Sequence, residues 1–166
     1  MIVTNQRAIY VGLGELAISK DPSTILTCNG LGSCISLCVY DPVTKLSGMA
    51  HMLLPTCRNR TDVSVPSKYI DTGTLLLINR MIKQGSSRQS LIIKIAGGAR
   101  MLNIPGDNST LDIGQKNIAE IKATLAREKL AICGSDVGGS FGRTVQLFVE
   151  TGRIFVKAVN GRTIEL

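Results

Sequence analysis

Two residues in this chain could together carry nucleophilic chemistry. Cys34 follows the turn-forming stretch Gly30-Leu31-Gly32-Ser33 and opens an apolar run, Cys34-Ile35-Ser36-Leu37-Cys38-Val39-Tyr40. Glycines at such a turn let a substrate approach the backbone closely, and the turn can aim N–H groups at a developing oxyanion. His51 is the chain's single histidine and lies in Gly48-Met49-Ala50-His51-Met52-Leu53-Leu54-Pro55, otherwise an apolar strand. A thiol attacks as its thiolate, so it needs a base nearby, and an imidazole can take the proton and later return it to a leaving amine. With one histidine in the sequence, that base must be His51. The bland alternative is a buried core histidine beside an unrelated cysteine.

The elements around the pair favour their meeting. Asp41-Pro42 and the residues to Lys45 form a short turn, so the two runs are expected to pair as a hairpin. Pairing about that turn brings the start of the first run, with Cys34, toward the end of the second, with His51. Further strands are expected at Ala8–Gly12, Thr24–Thr27, Ser90–Ala96, Ala131–Asp136, Thr144–Glu150 and Arg153–Val159, the last two flanking a Thr151-Gly152 hairpin turn. The apolar spacing of Ile70, Leu77, Ile78, Met81 and Ile82 predicts a helix over 67–84, stopped at Gly85. Ile118, Ile121 and Leu125 predict a second over 114–128. Residues 56–66 and Gly106–Asn108 read as loops. This order does not alternate strictly, so the expected fold class is α+β with mixed strand pairing.

The chain's 166 residues suit a single domain over 1–166, and at 44% hydrophobic it can bury a core unaided. At 4% aromatic, with no Trp, it lacks the material of a base-stacking platform. The net charge of +7 suggests an acidic partner, with simple solubility as the bland alternative. The basic residues are dispersed, however, and the densest group, Arg58 and Arg60 near Lys68, is no nucleic-acid motif. Neither nucleic-acid binding nor membrane insertion is expected. The five cysteines are an odd set without disulfide-framework spacing, and the N-terminus lacks the apolar core of a signal peptide. A cytoplasmic protein with reduced thiols is expected. Cys28, Cys34, Cys38, His51 and Cys57 include no Cys-x-x-Cys hook, so no metal is expected, and Gly12-Leu13-Gly14 is too short for a phosphate loop. No cofactor is implied. Cys38 shares strand parity with Cys34 and reads as core, as does Cys133. Cys57 reads as exposed and oxidisable.

The stretch Gly30-Leu31-Gly32-Ser33-Cys34-Ile35-Ser36-Leu37-Cys38, then Asp41-Pro42, then Gly48 to Pro55, resembles the CheD family of chemoreceptor glutamine deamidases. So do Lys68-Tyr69-Ile70-Asp71-Thr72, Lys94-Ile95-Ala96-Gly97-Gly98-Ala99, Ile113-Gly114-Gln115-Lys116-Asn117, Asp136-Val137-Gly138-Gly139 and Glu150-Thr151-Gly152. The resemblance implies a cysteine hydrolase on an α/β sandwich. Cys34 would be its nucleophile and His51 its base, converting glutamines on the cytoplasmic helical bundle of chemoreceptors to glutamates. It also implies a CheC-like phosphatase as partner. The rival reading of the same residues is a binding regulator of that phosphatase with little turnover. In the family a threonine upstream of the cysteine orients the histidine. Ungapped alignment puts Cys28 there, with Thr27 one residue earlier. Thr27, presented by a bulge or register shift, is the expected orienter; Cys28 and a backbone carbonyl are the alternatives.

Overall fold

A computed structural model describes residues 6–57, 64–101 and 112–166, and among these described residues there are ten strands and two α-helices. Strands β1 (Arg7–Tyr10), β3 (Thr24–Leu31), β8 (Arg143–Phe148), β9 (Ile154–Ala158) and β10 (Thr163–Glu165) make one sheet in the order β1-β3-β8-β9-β10. Strands β2 (Leu16–Ser19), β5 (Leu46–Met52), β4 (Ile35–Asp41), β6 (Ile92–Gly97) and β7 (Ile132–Val137) make the second, in the order β2-β5-β4-β6-β7. The pairs β1–β3 and β6–β7 are parallel and the remainder antiparallel. The expected α+β sandwich with mixed pairing is therefore present.

Strand alternation sorts the residues into two cores. Ile35, Leu37 and Val39 of β4 and Ala50 and Met52 of β5 face outward from the second sheet. They pack against Ile70, Leu77, Ile78 and Met81 of α1 (Ile70–Lys83) and Ile118, Ile121 and Leu125 of α2 (Ile113–Arg127). The alternate residues, Cys38 and Met49, face the first sheet and meet Leu26, Cys28, Leu31, Val145, Leu147 and Val156. All seven residues of β4 are buried, as in a strand covered on both faces.

Several sequence expectations shift in detail. Helix α1 starts at Ile70 rather than Ser67, because Pro66–Lys68 form a 3-10 turn and Tyr69 is extended at φ −104° and ψ 144°. Strands β2 and β10 are too short to give a period that the sequence alone reveals. Cys34 stands in the bend just before β4. Cys133 is exposed rather than core, because β7 is an edge strand. Cys57 is buried rather than exposed, its backbone N–H donating to the Asp71 carboxylate at 3.1 and 3.2 Å. Arg58, Arg60 and the loop expected at Gly106–Asn108 lie outside the described residues.

A buried ion pair ties β8 of the first sheet to β7 of the second. Arg143, its side chain 1% exposed, donates from Nε to Asp136 Oδ2 at 2.7 Å and from Nη2 to the Gly138 carbonyl at 2.6 Å. Arg162 donates to the other oxygen of Asp136 at 2.7 Å. Both guanidiniums hold the Asp136 carboxyl below its usual range although burial opposes this. Removing one partner of such a pair strands the other charge away from water. Asp136→Ala is expected to lower stability by about 3–5 kcal/mol in urea denaturation.

Candidate active site

The site lies where the chain twice crosses from the first sheet to the second: between β1 and β2, and between β3 and β4. The hairpin expected from Asp41-Pro42 forms, and its register sets Ser36 directly across from His51, with Ile35 across from Met52. Cys34 lies one step beyond that ladder. It shares the inner face with Ser36, Cys38 and His51 and packs against the inter-sheet core. It is therefore the diagonal neighbour of His51, a relation that typically spans about 7–8 Å. Cys34 is half-buried, while His51 is 2% exposed.

The turn carrying Cys34 is clamped from the end of β6. Gly98 N–H donates to the Cys34 carbonyl at 2.8 Å and Ala99 N–H to the Gly32 carbonyl at 2.9 Å. This requires glycine at 97, where φ is +112° and a Cβ would collide with the Cys34 carbonyl oxygen. Gly114 does the same for α2, since a Cβ there would meet the carbonyls of Ala99 and Gly98 at 2.5 and 2.6 Å. On the other side of the turn, Asn117 Nδ2 donates to the carbonyls of Ser33 and Leu53 at 2.8 and 2.9 Å.

His51 is held from the β1–β2 crossing. Its backbone N–H donates to the Glu15 carbonyl at 3.0 Å, and its carbonyl accepts from Gly14 N–H at 2.8 Å. Its ring Nδ1 lies 3.2 Å from the Val11 carbonyl. A carbonyl only accepts, so Nδ1 carries the proton and Nε2 presents its lone pair. Nε2 is buried and makes no hydrogen bond among the described residues.

The orienter expected at Thr27 is not where the sequence set it. Leu26 and Cys28 face the inter-sheet core, so alternation turns the Thr27 side chain to the opposite face of its sheet. The β3 irregularity falls between Cys28 and Leu31, after Thr27, and so does not rotate it inward. The Thr27 hydroxyl is buried and has no hydrogen-bond partner among the described residues. Its carbonyl does take part, accepting from Val11 N–H at 2.8 Å. The acceptor at the imidazole is a main-chain group, which no side-chain pattern announces. Cys28 does reach the cluster, near enough to Cys34, Cys38 and Ser36 to feel them electrostatically.

Burial sets the charge states. It pushes the Cys34 thiol up, opposed by its own backbone N–H against the sulfur. It pushes His51 down from 6.5, opposed by the Val11 carbonyl and by the charge of Glu15. Cys38 is pushed up to about 12 by burial, and Cys28 higher still by burial and the neighbouring thiols. With the thiol raised and the imidazole lowered, the two groups that share this face rest neutral, as SH and neutral ring, rather than as an ion pair. Such an arrangement can pass a proton from sulfur to Nε2 as the sulfur attacks an acyl carbon. Asn117 ends the Ile113-Gly114-Gln115-Lys116-Asn117 motif, and its signal in the sequence is an amide on the apolar face of α2, one residue before Ile118.

A family model described as CheD chemotactic sensory transduction matches residues 53–158. The chain is 44% identical over 165 residues to a probable chemoreceptor glutamine deamidase CheD of Symbiobacterium thermophilum, covering 99% of this chain and 100% of that one. It is 42% identical over 152 residues to a probable chemoreceptor glutamine deamidase CheD of Desulfitobacterium hafniense, covering 92% and 94%. It is 39% identical over 151 residues to the chemoreceptor glutamine deamidase CheD of Thermotoga maritima, covering 91% and 92%. The chain belongs to the CheD family.

The lowered His51 couples stability to pH. As pH falls, unfolded chains with an ordinary imidazole near 6.5 take up a proton before the folded ones do. The stability that His51 contributes is present above 6.5 and is lost as pH falls through the lower folded value. Urea denaturation is expected to show the wild type losing more stability between pH 7 and pH 5 than His51→Gln loses.

Proposed function

We propose that this protein hydrolyses the side-chain amide of glutamines on the cytoplasmic helical bundle of chemoreceptors, with Cys34 as nucleophile and His51 as base. The observation that carries the reading is the shared inner face of Cys34 and His51, with Nδ1 on the Val11 carbonyl and Nε2 left as acceptor. The names of the relatives supply the substrate class.

His51 Nε2 takes the Cys34 proton while the sulfur forms a bond to the glutamine carbonyl carbon. The carbonyl electrons move onto oxygen. The Cys34 N–H, next to the sulfur, donates to that oxyanion. Collapse breaks the C–N bond, and the proton held by His51 leaves with the nitrogen as ammonia. The remaining thioester is attacked by water, which gives a proton to Nε2. Breaking the C–S bond leaves glutamate and returns the thiol. Glutamine and water become glutamate and ammonia, with no cofactor consumed. Thr27 serves through its carbonyl, which holds Val11, which in turn holds the ring.

Tyr10 and Leu13 beside the Val11 crossing and Met101 against Gly32 are exposed apolar residues flanking the pair. They support a docking rim for the receptor helices, and a CheC-like phosphatase that used the same rim would compete with receptor. The net charge of +7 favours an acidic partner surface.

Cys34→Ala and His51→Ala are each expected to abolish ammonia release from a receptor cytoplasmic fragment while leaving the circular dichroism spectrum unchanged. Mass spectrometry of the fragment should show Gln-to-Glu shifts of about +1 Da with the wild type alone. Near-normal turnover in folded Cys34→Ala would refute the assignment. In the wild type, kcat/KM is expected to fall on acidification only below pH 6.5, since burial lowers His51.

A further inference from the structure

The apolar face of α2 buries two polar side chains where the helical period calls for hydrophobes: Thr124, whose hydroxyl donates to Glu120 one turn back, and Asn117, which reaches out of the helix. Gly114, Ile118, Ile121 and Leu125 are buried there, and Asn117 beside them is 0% exposed. A buried amide is unfavourable unless its groups find partners. Asn117 finds partners for only half of them. Nδ2 donates to the Ser33 and Leu53 carbonyls, whereas Oδ1 is buried with no hydrogen bond among the described residues. The orientation of the amide follows from its partners, because two carbonyls can be met only by the NH2 end. An aliphatic side chain would remove the orphan acceptor and would leave the Ser33 and Leu53 carbonyls without the amide's donors, so the amide is held at this place by those two carbonyls.

The two partners identify its role. Ser33 precedes the nucleophile, and Leu53 is two residues after the base. The β4–β5 ladder ends at Ile35 and Met52, so one amide spans the next rung, the rung that Cys34 itself occupies. We infer that Asn117 is a positioning residue that closes the β4–β5 pair beyond its last rung and thereby fixes Cys34 against His51. The anchor is rigid: α2 is docked through Gly114 onto the carbonyls of Gly98 and Ala99, and its first turn is capped by Asp112, which accepts from Gln115 N–H at 3.1 Å. Without the bridge, the Cys34 turn keeps its clamps from Gly98 and Ala99, which tie it to β6, and loses the tie to the strand that carries His51. A misplacement of about 1 Å in such a pair can cost about a hundredfold in rate.

This inference rests on the proposed roles of Cys34 and His51, and its test separates the two. Asn117→Asp keeps the shape and removes both donors; Asn117→Ser is the smaller second variant. Each is purified as the full chain and compared with wild type and His51→Ala. Two quantities are measured: ammonia release from a receptor fragment, and the pH profile of Cys34 alkylation by iodoacetamide, resolved by peptide mass spectrometry because Cys133 is exposed and Cys34 half-buried. Folded variants are expected to lose about 10- to 100-fold in kcat with KM within about threefold. Their Cys34 alkylation profile should come to coincide with that of His51→Ala. If kcat and the alkylation profile of a folded variant match wild type, or if the loss is wholly in KM, the inference is overturned. It is also overturned if neither variant folds, since the amide would then serve stability. Should the wild type release no ammonia, the proposed substrate fails, and the alkylation profile still decides the role of Asn117.

Discussion

The register of β4 on β5 is the constraint on which the site depends. Strand β4 is central, hydrogen-bonded to β5 on one side and β6 on the other, and buried on both faces. A slip of one residue would turn Ile35, Leu37 and Val39 out of the helix-side core and drive Ser36 and Cys38 into it. The core therefore enforces the register, and the register places His51 across from Ser36, one diagonal step from Cys34. The placement of Cys34 and His51 is here a by-product of hydrophobic sorting in a strand that has no freedom to slide.

The Cys34 end of that hairpin is finished by groups from elsewhere in the chain. The crossing from β1 to β2 delivers the Val11 carbonyl to the imidazole, and the end of β6 delivers two N–H groups to the Cys34 turn. Main-chain partners suit this task. They are fixed by the sheets that carry them and surrender no rotamer freedom when they bind. The Arg143–Asp136–Arg162 cluster binds the same two sheets at β7 and β8, so the inter-sheet spacing that the crossings depend on is held by charge as well as by packing.

Burial also decides how the pair would work. Desolvation disfavours both a thiolate and an imidazolium, so it raises one group and lowers the other. A neutral pair needs an acceptor lone pair on the ring rather than a resident positive charge. The Val11 carbonyl supplies that condition by fixing the tautomer. The same low-dielectric setting pushes up the thiols of Cys28, which lies near Cys34, and of Cys38, and so disfavours their thiolates.

The amino-acid sequence by itself determined the α+β order, both helices and the hairpin. It also singled out Cys34 and His51, because these rest on local periods, turn residues and residue types. It could not decide what lies against the second ring nitrogen. Thr27 and Cys28 differ by one position, and alternation assigns their faces only once β3 is known to pack Leu26 and Cys28 inward. Nor could it predict the Val11 carbonyl, since every residue has one and only the path of the chain between sheets selects it. Cys133 and Cys57 exchanged their expected environments for the same reason: exposure follows from which strand is an edge and which loop is covered. Asn117 was visible as a residue but not as a bridge, because Ser33 and Leu53 are far from it in sequence and meet it only when α2 docks on the sheet.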